Sequence, residues 1–115
     1  MVSDPIKILI VDDDEQVLIE LERLLESEGY RTTTAWGGRE ALALSDQCQF
    51  DILLVDEDMA HPDCHAFLVE LKRRQPKAGF LQMHARKHPE ESSAHAVCKW
   101  EHAEMKATIR GFLAA

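Results

Sequence analysis

Twice in this chain a solid apolar block runs straight into acids. Ile8-Leu9-Ile10-Val11 meets Asp12-Asp13-Asp14, and Ile52-Leu53-Leu54-Val55 meets Asp56-Glu57-Asp58. Apolar runs of this length, without polar alternation, suit parallel strands covered on both faces. The first strand is read over Ile6–Val11 and the third over Phe50–Val55. Between them, Val17, Leu18, Leu21, Leu24 and Leu25 fall at i, i+1, i+4, i+7 and i+8, an amphipathic helix stopped at Gly29. A threonine-rich strand over Arg31–Ala35, the Gly37-Gly38 turn and a short helix over Arg39–Ser45 follow.

The second half repeats the alternation. Phe67, Leu68 and Leu71 mark a helix closed by Arg73-Arg74, whose charges suit a helix C-terminus. Gly79–Met83 reads as a fourth strand, Val97-Cys98 as a very short fifth, and Met105, Ile109, Phe112 and Leu113 as a last helical stripe. Residues 85–95 are polar and irregular, with at most a turn or two of helix. Strand–helix alternation implies parallel strands joined by right-handed crossovers. Ligands of such sheets bind beyond the carboxyl ends of the strands, where both acidic clusters fall.

Composition bounds the rest. The 115 residues suffice for one domain, expected over 1–115. The formal charge of −8 argues against nucleic acid and membrane surfaces as direct partners. The longest apolar run is strand-sized, against about 20 residues for a membrane span. Met1-Val2-Ser3-Asp4-Pro5 carries no basic stretch and no cleavage pattern, which argues against secretion. Cys48, Cys64 and Cys98 are odd in number and form no Cys-x-x-Cys, so no disulfide framework is expected and a reducing cytoplasm fits.

Asp12, Asp13 and Asp56 would converge if the first and third strands are neighbours. Close carboxylates repel by about 4 kcal/mol per pair at an effective dielectric near 20. A cation relieves that, and oxygen ligands with room for water suit Mg²⁺. The plainer reading is that Asp12 to Asp14 only cap a helix, which leaves Asp56 unexplained. Lys99, at the end of the last strand, could pair with Asp56 or with a phosphoryl oxygen.

Together, the stretch from Ile8 to Asp14, the stretch from Asp51 to Met59, and Lys99 resemble the receiver domain of two-component response regulators. The resemblance implies an α/β flavodoxin-like (βα)5 fold, a doubly wound parallel sheet in order 2-1-3-4-5. It implies Asp56 as phosphoacceptor and Mg²⁺ held by Asp12, Asp13, Asp56 and the backbone carbonyl of Asp58. Lys99 would contact the phosphoryl group. The implied partners are a sensor histidine kinase or phosphotransfer protein, and an output protein or a second copy. The chain would be a signalling phosphoacceptor rather than an enzyme, limited to self-phosphorylation and autodephosphorylation.

Four departures from the family pattern matter. His84 stands where a threonine or serine hydroxyl would bond the phosphoryl group. Ala96 stands at the switch aromatic. Trp100 follows Lys99 in place of a cis proline, and a cis bond there would cost about 2.5–4 kcal/mol, so trans is expected. The stretch from His84 to Lys99 is about seven residues short, close to two helical turns, so the fourth helix is expected to be shortened or absent. These changes favour an alternative: a degenerate receiver that acts as a phosphorylation-independent interaction module.

Weaker signals remain. Ala60 and Cys64 replace a usual proline and glycine. Asp58 and Arg86 could bridge the pocket mouth. His84, His88, His95, Cys98 and His102 lie close in sequence but match no zinc spacing. Asp56-Glu57-Asp58 mimics a haloacid-dehalogenase motif, but two βα units precede it. Trp100 is either an exposed anchor or a filler for the short helix.

Overall fold

A computed structural model describes residues 5–56, 64–85 and 96–114. The strands are β1 (Lys7–Val11), β2 (Arg31–Ala35), β3 (Ile52–Asp56), β4 (Gly79–His84) and β5 (Ala96–Cys98). The helices among the described residues are α1 (Glu15–Ser27), α2 (Gly38–Ser45), α3 (Cys64–Arg74) and α4 (His102–Ala114). All strand pairs are parallel, in the order β2-β1-β3-β4-β5. This is the expected doubly wound sheet. The expected shortening of a helix between β4 and β5 falls on 86–95, outside the described residues.

Each central strand sends alternate side chains to two cores. Ile8, Ile10, Leu54, Leu81, Met83 and Val97 meet Val17, Leu21 and Leu25 of α1 and Met105 and Ile109 of α4. Leu9, Val11, Leu53 and Val55 meet Ala41 of α2 and Phe67 and Leu71 of α3. Two covered faces explain why β1 and β3 read as unbroken apolar blocks. Edge strand β2 is half-buried over its threonines, as its composition suggested.

The third strand corrects its expected bounds. It starts at Ile52, not Phe50, and it includes Asp56. The Phe50 N–H leaves the ladder and donates to Gln75 Oε1 at 3.0 Å, while its ring joins the α2–α3 core. Asp51 Oδ2 accepts from the Lys7 N–H at 2.8 Å and fixes where the β1–β3 pairing begins. Similarly, β4 runs one residue past Met83 to His84, in register with Cys98.

Candidate functional site

The acids after β1 divide their work. Asp14 is the N-cap of α1, its side chain accepting from the Gln16 N–H at 3.0 Å. Capping therefore needs only one of the three. Asp12 Oδ1 accepts from the Asp14 N–H at 2.9 Å, which turns the chain and leaves Oδ2 facing inward. The Asp12 N–H donates to Ala35 O at 3.1 Å, so the loop is tied to the end of β2 as well. Asp13 stays exposed.

β3 is hydrogen-bonded beside β1, and its last residue is Asp56. One carboxylate oxygen each from Asp12, Asp13 and Asp56 lies within 4.8 Å of the others. The convergence expected from sequence is therefore present. Asp12 and Asp56 are 0% and 1% exposed, so their charges sit out of water.

Lys99 enters this cluster from the end of β5. Its N–H donates to His84 O at 2.9 Å, which extends the β4–β5 pairing by one rung. Its Nζ donates to Asp12 Oδ2 at 3.1 Å and lies 3.4 Å from Asp56 Oδ2. Sequence reasoning paired Lys99 with Asp56; the structure adds Asp12 as the shorter contact. The Lys99–Trp100 peptide is trans. Trp100 is 47% exposed, with Lys99 Nζ 5.9 Å from its ring. That exposure makes it a poor filler.

The electrostatics follow from burial. Desolvation pushes the Asp12 carboxyl above its ordinary range, and the charge of Asp56 adds to this against the bonds from Asp14 and Lys99. Desolvation pulls the Lys99 ammonium down, but its bond to Asp12 and the charges of both acids outweigh it and hold its pKa raised. Both groups therefore hold their protons more tightly than in water, which keeps Lys99 cationic and makes the charge of Asp12 costly.

His84 is 3% exposed at the end of β4, beside β3 and β5. Its Nδ1 is buried and has no hydrogen-bond partner among the described residues. Leaving such an atom unpaired costs about 1–3 kcal/mol. Asp58, Arg86, His88 and His95 lie outside the described residues, so the carbonyl ligand and the pocket-mouth bridge do too. Cys48 and Cys98 are free thiols. Among the described residues, the acidic trio is the group that could hold a metal; no cluster forms around His84, Cys98 and His102. The oxygen-only set, two members buried and one exposed, fits Mg²⁺.

Sequence reasoning missed Gln75. It is 2% exposed, accepts from Phe50 N–H, and donates to Ser45 O at 2.9 Å and Cys48 O at 2.8 Å. It holds the turn that leads into β3 and hence to Asp56. No local pattern marks a glutamine as buried.

A doubly wound sheet whose carboxyl edge gathers three acids and a buried lysine defines a class: an α/β domain with an acidic, cation-suited centre at the switch point. The chain belongs to the response regulator receiver domain family, which it matches over residues 8–104. It is 39% identical over 85 residues to the transcriptional regulatory protein ZraR of Salmonella typhimurium, covering 74% of this chain and 19% of that protein. The chain thus spans about a fifth of that relative's length. Its fold is shared with a CheY-like receiver domain protein of Methanospirillum hungatei, with a TM-score of 0.83 at 23% identity, covering 96% and 95% of the two chains. The response regulator TrrA of Thermotoga maritima, solved with Mg²⁺–BeF, gives 0.78 at 24% identity over 92% and 97%.

Proposed function

We propose that Asp56 accepts a phosphoryl group from a phosphohistidine on a histidine kinase or phosphotransfer protein, and that the chain signals by altered protein contacts. The observation that carries this reading is Asp56 at the very end of β3, buried, with two carboxylates and the Lys99 ammonium around it. TrrA, which shares this fold, was solved with Mg²⁺–BeF and with the histidine kinase ThkA. In this reading Asp12, Asp13 and Asp56, with the Asp58 carbonyl, would hold Mg²⁺.

An Asp56 oxygen attacks the phosphorus in line. The new O–P bond forms as the N–P bond breaks, and its electron pair returns to the leaving imidazole. Such transfer needs mostly positioning and charge neutralisation. Mg²⁺, when bound, supplies neutralisation of the phosphoryl oxygens. Lys99, already 3.4 Å from Asp56, takes part of the remaining charge. His84 offers Nδ1 where the family has a hydroxyl, and a phosphoryl oxygen would satisfy that buried atom. The only chemistry is on the chain itself, namely gain and hydrolysis of its own acyl phosphate. A cytoplasmic setting suits this role.

A second reading, an interaction module that never turns over phosphate, is favoured by the bulk of His84 at that position. Incubation with Mg²⁺ and acetyl phosphate, followed by intact mass, separates the two. A single phosphoryl adduct that disappears in Asp56→Asn supports phosphoacceptance. No adduct with any donor supports the module.

A further inference from the structure

The large hydrophobic side chains exposed among the described residues are Ile19, Trp36, Val69 and Trp100. Ile19 and Trp36 line one cavity of about 490 Å³ between α1 and the end of β2. That size lies within the range of pockets that bind small molecules or groups of side chains, roughly 300–1,000 Å³. Leu18 contributes a further apolar surface to it. Glu15, Ile19 and Glu22 repeat at i, i+4 and i+7, so α1 presents an apolar side chain between two acids on this face. Asp13 adds a third carboxylate. No basic side chain is among the described lining residues.

Trp36 is anchored but uncovered. Its main-chain N–H donates to Glu40 Oε1 at 3.2 Å, while the residue is 70% exposed. An indole left in water is a large unburied apolar surface, and tryptophan is enriched at binding hot spots. An indole face beside carboxylates also attracts cations.

We propose that this cavity docks a segment of another protein that presents an apolar side chain flanked by lysine or arginine. The apolar group enters between Ile19 and Trp36, and the basic groups meet Glu15 and Glu22. The overall charge of −8 steers such a segment toward the chain. A second copy is a poorer occupant through its most basic run, Lys72-Arg73-Arg74. Its basic turn at the end of α3 is already engaged: Arg73 and Arg74 bond Glu70, and Lys72 sits 4.1 Å over the Phe80 ring.

The test uses a synthetic peptide, acetyl-Arg-Leu-Arg-Leu-Arg-amide, with two controls that replace Leu by Ser or Arg by Glu. In a Trp100→Phe background, the first peptide should shift Trp36 emission to the blue. By calorimetry, Trp36→Ser and the double variant Glu15→Gln, Glu22→Gln should each bind it about tenfold or more weakly. Circular dichroism checks that these variants remain folded. Equal affinity for Trp36→Ser and wild type would overturn the proposal, as would equal binding of the Ser control or no binding of the first peptide. Self-association by sedimentation that Trp36→Ser abolishes would also overturn it, by assigning the cavity to a second copy.

Discussion

Asp12 is the residue on which metal, proton and lysine compete. Its carboxyl sits above the ordinary range because burial, then Asp56, disfavours its charge. A raised carboxyl pKa means the folded state holds that proton more tightly than the unfolded chain. The ionised group therefore costs stability above its ordinary pKa, and the cost is relieved as pH falls through the raised value. Mg²⁺ needs the carboxylate free of its proton. Thermal melts should show Mg²⁺ stabilising the protein at neutral pH, by about 2.7 kcal/mol at a hundredfold excess over Kd. That gain should shrink as pH falls from neutral toward the carboxylate range. A gain independent of pH over that range would contradict the assignment. Lys99 runs the other way: its raised pKa contributes stability below the ordinary lysine value and loses it at high pH. Lys99→Met strands Asp12 and Asp56, so urea melts without Mg²⁺ should lose about 3 kcal/mol, partly restored by Mg²⁺. His84→Phe keeps a ring but removes Nδ1, and Asp56 phosphate should accumulate about tenfold less.

At the scale of elements, the structure turns on how β3 is delivered to the sheet edge. The Phe50 N–H, Ser45 O and Cys48 O all depend on Gln75. Gln75→Leu would keep the volume and orphan all three, lowering stability by about 2–4 kcal/mol in urea titrations. A loss within a few tenths of a kcal/mol would show that water or local rearrangement replaces them. Gly79 opens β4 against α4, and a Cβ there would overlap the Phe112 ring. The sequence displayed β1 and β3 well because strands covered on both faces need apolar residues at every position. It displayed the start of β3 poorly, because Phe50 is as apolar as a strand residue yet packs from the loop. β5 has only three residues, too few to carry a period. The reach of Lys99 to Asp12 therefore became visible only with the register of β4 and β5.

At the scale of the molecule, the charge of −8 has two parts. Most acids are solvated helix surface, such as Glu70, whose bonds with Arg73 and Arg74 hold its carboxyl at about 2. The trio at the carboxyl edge is different, because strand order forces it together. Its members were legible as a pair of motifs in the sequence, since each ends a strand block. The Trp36 cavity was not, since no sequence pattern shows that Trp36 lies against the Ile19 face of α1. The central claim is that this edge makes Asp56, and no other residue, a phosphoacceptor. Acyl phosphates are reduced by borohydride to the corresponding alcohol, so treatment after incubation with Mg²⁺ and a phosphodonor marks the acceptor as homoserine. Peptide mass mapping should place homoserine at position 56 alone. Homoserine at Asp12 or Asp13, or none with any donor, would contradict the account.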